Sequence, residues 1–381
     1  MPSNFQFFLE VKLMSPGRAR LLTGTSCVGT LVILAIGMLC WDVSRSVFPT
    51  SAASATTEYL SVLAFFTGAA GVLLPFDLIG GLAIPAAFES RPPRLRFWVR
   101  QWFRSVGIQS LFFSLTLFLY LQIGRAIGAP WLVAMFAVLQ TTLVAGQELL
   151  WQALTANWTG AAHRERTQVV PHSDERFMGG IAGLPGFETI LVPRAWGLRL
   201  RPASLVTIVN RRRAAVTCGG RSRGILCAMC WNISGFTLCI IAAGTSVQSV
   251  ADIVSVYLWF LLFSFAGLLI LPVLNRQSVF ALDQHFSNAH SHLELREAIT
   301  DVDRITDQDP TRSPSAESVF QPIPCSERRS RSLETAGSGH VIAWNIARTA
   351  LFLSWAYGGP LARAVHSNVG RTELWAMMPT D

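Results

Sequence analysis

Six apolar stretches constrain this chain more than any other feature of it. They lie at 25–41, from 59 through LAFFTGAAGVLL, and at 108–127, 131–154, 225–243 and 253–274. Each approaches the roughly 20 apolar residues needed to cross a bilayer's hydrocarbon core. Lipid offers no partner to backbone N–H and C=O groups, so such segments are expected as helices. The composition agrees: 51% of residues are hydrophobic and only 14% charged, against about 25% charged in soluble domains. The expected fold class is a mainly α-helical integral membrane protein with about six transmembrane helices. The apolar residues 31–41 read as part of a first span, not as a secretory leader.

The formal net charge of +8 is then a statement about topology before it is one about nucleic acid. The segment ESRPPRLRFWVRQWFR, between the second and third spans, holds five arginines in sixteen residues, interleaved with Phe97, Trp98, Trp102 and Phe103. The connection between the first two spans has one, Arg45, and the turn between the last two has none. The positive-inside bias puts both termini, the 89–107 segment and the 155–224 region on the cytoplasmic side. The expected location is the plasma (inner) membrane, multi-pass, and NWT at 157–159 is an accidental match to a glycosylation sequon. The arginine–aromatic segment suits anionic lipid; no zinc-finger or helix-turn-helix spacing accompanies it. Membrane lipids are expected partners, with a peptide or membrane protein as a further one, and nucleic acid is not.

Four regions follow. Residues 1–154 form an N-terminal membrane region with four spans. Residues 155–224 form a cytoplasmic insertion in which PGFETILVP reads as a turn into a strand. RPASLVTIVNRRRAAVTCGG reads as a helix, with Pro202 in its first turn and Gly219 and Gly220 ending it. Residues 225–274 carry two spans. Residues 275–381 form a cytoplasmic helical tail, in which 341–356 is apolar but interrupted by Asn345 and Arg348. Those 16 residues are short for a crossing, so an interfacial or packed helix is expected.

The helix at 202–217 carries Arg211, Arg212 and Arg213 directly after an apolar run. Its order with the flanking segments, ETILVPRAWGLRLRPASLVTIV before it, then two spans, then NRQSVFALD, LREAITDVDRI and FQPIPCSERRSRSL, resembles the membrane-embedded M48 zinc peptidases, the CAAX-prenyl-protease and HtpX-like group. The resemblance covers residues 177–333 and implies a small zincin-like α/β cytoplasmic portion. In that family a strand precedes a helix with HExxH, and a later SRxxExxAD pattern supplies a third zinc ligand. The resemblance places Arg211 at the first His, Arg212 at the Glu, Ala215 at the second His and Val279 at the third ligand. Asn275, Arg276, Leu282 and Asp283 take the Ser, Arg, Ala and Asp positions.

A zincin needs two neutral imidazoles at i and i+4, a third ligand, and a carboxylate to activate the metal-bound water. This sequence contains no HExxH. A guanidinium stays protonated, has no lone pair to give and repels Zn²⁺, and valine has no ligand atom. No catalytic, cofactor-binding or metal residue is therefore assigned. No cofactor is expected, zinc entering only if the true ligands lie elsewhere. The leading expectation is a catalytically degenerate M48-like protein that acts by binding a peptide, lipid or membrane-protein partner. The alternatives are an active metallopeptidase with a displaced site, and a transporter subunit.

Other groups read as structural. His285, His290 and His292 gather near Asp283 and Glu294, but their i, i+5, i+7 spacing does not stack on one helix face. CAMC at 227–230 has CxxC spacing inside an apolar span, where small buried cysteines are expected. Asp77 and Glu148 sit at span edges, the only support for a transport path. Asp283 is expected to pair with an arginine of the 211–213 run. The motif PFDLIGG at 75–81 has no assigned role.

Overall fold

The computed structural model describes residues 15–88, 92–157, 166–171, 177–244, 247–306, 312, 317, 321–335, 339–365 and 368–378. Among these, five helices are long and apolar enough to cross a membrane, or six if a pair bent by 66° counts as one span. The chain is a multi-pass membrane protein with a small mixed sheet.

Helix α1 (Pro16–Cys40) starts on Ser15, whose hydroxyl accepts from Arg18 N, with Pro16 at its first position; the missing proline N–H costs nothing there. After α2 (Val43–Val47), α3 (Ala55–Leu78) contains Pro75 and runs through a π-helical turn, Ile79–Ala83, into α4 (Ile84–Phe88). Proline removes an i to i−4 bond, and the π turn re-registers the chain at the PFDLIGG motif.

Helix α5 (Leu95–Ile127) is 33 residues long, so it rises about 50 Å. Residues 95–104 of the arginine–aromatic segment, read from sequence as a connection ahead of a span beginning near 108, are its first three turns. Trp98 and Trp102 face inward while Arg94, Arg96 and Arg100 are exposed. The fourth expected span is broken: α6 (Ala129–Ala145) and α7 (Gln147–Thr155) meet at 66°.

The sheet has the order β1–β3–β2. Strand β1 (Thr167–Val170) runs parallel to β3 (Thr189–Pro193), and β2 (Gly180–Ala182) antiparallel to it. Short α8 (Arg194–Arg199) leads to α9 (Pro202–Thr217), which ends where Gly219 takes a φ of 72°. Spans α10 (Gly220–Ala243) and α11 (Val250–Ser287) follow. A capping box, Ser249 with Asp252, starts α11. At 38 residues it runs beyond the apolar stretch and carries NRQSVFALD out to the sheet. Helices α12 (His292–Ile305) and α13 (Ser326–Glu334) pack over its far end.

The C-terminal segment differs most from expectation. It contains α14 (Ile346–Leu353), a 3₁₀ turn (Ser354–Tyr357), α15 (Leu361–Ala364) and a second 3₁₀ turn (Thr372–Leu374). Every described residue from 343 to 378 is buried. The stretch 341–356, expected at an interface or packed, contributes an eight-residue helix enclosed by α10 and α11. The segment is held from all sides. Tyr120 donates to Ala356 O at 3.0 Å, Gln147 to Ala376 O at 2.8 Å, Asn232 to Ala350 O at 2.8 Å and Tyr357 to Ile253 O at 3.1 Å. These donors sit on α5, α7, α10 and in the segment itself. The residues 343–378 are thus the bundle's interior and not an appended tail. The bundle supplies apolar walls and hydrogen bonds that an isolated interfacial helix would lack.

Candidate functional site

Helix α9 buries one stripe, Ser204, Thr207, Ile208, Arg211, Arg212 and Ala215, against β3 and α11. Burying two guanidinium groups on this stripe is costly unless each finds charge or carbonyl partners. Arg211 Nε donates to Asp283 Oδ1 at 2.6 Å. From α13, Arg329 donates to both oxygens of the same carboxylate, Nε to Oδ2 at 2.8 Å and Nη2 to Oδ1 at 2.9 Å. Asp283 is wholly buried, so one carboxylate ties α9 and α13 to α11.

Arg212, also fully buried, takes a different course. Its Nη1 donates to Leu191 O on β3 at 3.2 Å and its Nη2 to Met178 O, just before β2, at 2.7 Å. The guanidinium lies over the Trp196 ring, 5.0 Å from its centroid. The planar fork serves two carbonyls while its face meets an indole. Ala215 and Val279 belong to one apolar cluster with Ile190, Val192, Trp196 and Leu282. All four residues that the resemblance places at ligand and base positions are buried: Ala215 and Val279 in one apolar cluster, Arg211 on Asp283 and Arg212 on the sheet carbonyls.

The neighbouring segments are bolted in the same manner. Asn275 donates to Pro322 O at 2.6 Å, and Arg276 to Glu317 O at 2.9 Å and Gln321 O at 3.1 Å. Arg328 pairs with Glu317 at 3.0 Å. NRQSVFALD thus anchors FQPIPCSERR, the two stretches singled out in the sequence. Sequence reasoning missed Arg329 and Trp196, although the RR pair of the late segment was a usable signal.

The other candidates separate from this region. His285, His290 and His292 are exposed; His290 stacks on Phe286 at 4.1 Å, and its Nδ1 lies 3.1 Å from Phe286 O. No group of three His, Cys, Asp or Glu among the described residues is placed to hold a metal ion. Cys227 and Cys230 are free thiols, Cys230 exposed on α10 and Cys227 half-buried, so this pair is not the fully buried one expected.

Asp77 is buried at the foot of α3. Its Oδ2 accepts from Trp102 Nε1 at 2.8 Å and from Arg363 Nε at 3.1 Å, with Arg363 Nη2 close beside it. Its Oδ1 accepts from Gly370 N at 2.9 Å. Gly80 and Gly81 press against the carbonyls of Val369 and Gly370, and Gly370 itself has a φ of 70°. PFDLIGG is therefore the seat of the C-terminal segment. Glu148 is half-buried on α7 and accepts from Gln152 at 3.2 Å.

A cavity of about 450 Å³ lies beside the α9 region. It runs from the first half of α1 and the middle of α11 to α12 and the start of α13, with the C-terminal segment as its floor.

No family model and no curated protein matches the chain. Among solved structures, the crystal structure of S. mikatae Ste24p superimposes with a TM-score of 0.62 at 12% identity, covering 81% of this chain and 79% of that one. At that identity the likeness is one of fold.

Proposed function

We propose that this chain is a catalytically degenerate, M48-like membrane protein that works by binding and not by hydrolysis. The observation that carries the reading is the content of the α9–α11 region: Arg211, Arg212, Ala215 and Val279. Zinc hydrolysis needs three lone-pair donors and a general base around an open coordination position. Here two of the four positions hold cations, two hold alkyl groups, and Asp283 is already saturated by Arg211 and Arg329. The shared fold with Ste24p supports treating these as the positions where such a site would be built.

Metal analysis of the purified protein after equilibration with zinc tests the reading. The expected result is no stoichiometric zinc. A second arm restores the ligand set with Arg211→His, Arg212→Glu, Ala215→His and Val279→Glu together, which is expected to raise zinc retention over the wild type. Stoichiometric zinc on the wild-type chain overturns the proposal.

A further inference from the structure

We propose that the turn between β2 and β3 is a membrane anchor, with the Phe187 ring seated in the lipid headgroup region beside α10. The inference goes beyond the binding reading and does not depend on it.

The sheet has two unlike faces, because neighbouring side chains on a strand point opposite ways. Val170, Ala182 and Leu191 join the apolar cluster of the membrane-crossing helices. Ile181, Ile190 and Val192 join the cluster of Ile208 and Ala215 on α9. Phe177, just before β2, stacks on Trp151 of the bent pair at 5.4 Å. The sheet therefore lies between the end of the bundle and α9. A turn that extends past the bundle at that level meets lipid headgroups.

The β2–β3 turn is fixed to α10. Gly183 O accepts from Arg221 Nη2 at 2.6 Å, and Glu188 pairs with Arg221 at 3.6 Å. Arg221 is the second residue of α10, a helix apolar enough to cross the membrane. The exposed face of that helix soon changes character: Arg223 is exposed, and the next exposed positions are Leu226 and Cys230. An arginine followed by a leucine marks the border between headgroups and hydrocarbon, about 3–8 Å along the axis from Arg221.

The turn itself closes tightly. Phe187 N donates to Leu184 O at 2.9 Å, Gly186 N donates to Glu188 Oε2 at 2.8 Å, and Gly186 takes a φ of 90°. A Cβ on Gly183 would lie 2.6 Å from Phe187 O, so the Phe187 backbone is next to the residue that Arg221 holds. Leu184 packs on the bundle's cluster, whereas Pro185, Gly186 and Phe187 are exposed, Phe187 by 83%. A lone exposed apolar residue calls for no explanation in water. A firmly held phenyl ring at the level of the headgroups has an apolar medium within reach. The neighbouring carboxylate, Glu188, is offset by Arg221 and does not oppose insertion. The anchor holds β3, and the α9 helix packed on it, against the bilayer.

Fluorine spectroscopy in phosphatidylcholine nanodiscs tests this. The full chain carries 4-trifluoromethylphenylalanine at position 187 or, as a control, at position 293. Leu293 is 63% exposed and follows α11. The 38 residues of α11 span about 57 Å, more than the roughly 45 Å of a bilayer with its headgroups. The label at 187 is expected to be relaxed more by a lipid with a nitroxide near its headgroup than by an aqueous gadolinium chelate. The label at 293 is expected to show the reverse. A label at 187 that behaves like the one at 293, or that responds to neither reagent because another protein surface covers it, overturns the proposal.

Phe187→Ser supplies a second readout. In nanodiscs it is expected to speed proteolytic cleavage within 177–193 about threefold or more. Phe187→Trp is expected to keep the wild-type rate. An unchanged rate for Phe187→Ser overturns the anchoring role.

Discussion

Asp283 accepts hydrogen bonds from two arginines with both of its oxygens, and no water is needed to complete it. Removing the carboxylate leaves two guanidinium groups facing each other in a buried site, which costs about 3–5 kcal/mol. Asp283→Asn is therefore expected to lower the melting temperature of the detergent-extracted protein sharply. Asp283→Asn combined with Arg211→Met is expected to recover part of that loss. A single variant that melts like the wild type would contradict the role given to the carboxylate. Arg212→Lys tests a different geometry. A lysine ammonium cannot reach the carbonyls of Leu191 and Met178 as a planar fork or lie flat on Trp196, so a loss of about 1–3 kcal/mol is expected. The triple arginine is visible in the sequence, and the resemblance sets Arg211, Arg212 and Ala215 against the family pattern. Its division of labour is not. Arg211 turns to α11, Arg212 to the sheet, and Arg213 outward to Asn210 and Thr167. Those directions depend on which helix face meets which neighbour, a long-range fact that spacing does not carry.

At the scale of elements, α9 and α12 are clamped near their ends by Arg201, which donates to Asp301 and Glu297 at 2.7 Å each, and by Ser204, which donates to Asp301 at 2.7 Å. Burial alone would raise the Asp301 carboxyl; the Ser204 hydroxyl and the Arg201 guanidinium outweigh it and hold it below the ordinary carboxylate range. A depressed folded-state value means that the clamp contributes fully above the unfolded carboxylate range, near pH 4, and is lost as pH falls through the lower folded value. Asp301→Asn is expected to cost about 1 kcal/mol at neutral pH, because the partners are partly exposed. It is also expected to flatten the stability profile in the acid range; an unchanged acid profile would remove Asp301 from the clamp. Elsewhere, the π-helical turn after α3 and the start of α5 grip the C-terminal segment at Gly81, where an added Cβ would collide with the Trp98 indole and the Gly370 carbonyl. Gly81→Ala is expected to loosen that seat. The check is faster limited proteolysis of 343–378 than in wild type.

The elements were legible to different degrees for physical reasons. Apolar length alone locates the five long apolar helices and the bent pair, since the bilayer fixes the length of a span. The extension of α5 back to Leu95 was hidden because its arginines resemble a connection. The break between α6 and α7 lies inside one apolar run. The Asn345 and Arg348 interruptions in 341–356 left an interfacial and a packed helix open; the structure buries both residues in the packed arrangement.

The membrane helices pack around the buried C-terminal segment, and the sheet and α9, α12 and α13 gather at the long end of α11. Aromatic rings from four spans, Phe66, Tyr120, Phe236, and Tyr257 and Phe260 of α11, meet Tyr357 or one another there. A chain ending after residue 340 would leave those faces without partners and would release Asp77 from Arg363 and Gly370. Such a truncation is expected to be recovered in low yield and to elute as aggregate on gel filtration. The fold match to S. mikatae Ste24p spans most of both chains, and the proposed function holds that α9 and α11 keep no zinc. Inductively coupled plasma mass spectrometry of the wild-type protein, equilibrated with zinc and then desalted, measures that directly. The account predicts zinc well below stoichiometry on the wild type and higher retention when Arg211, Arg212, Ala215 and Val279 become His, Glu, His and Glu. Stoichiometric zinc on the wild-type chain would contradict it.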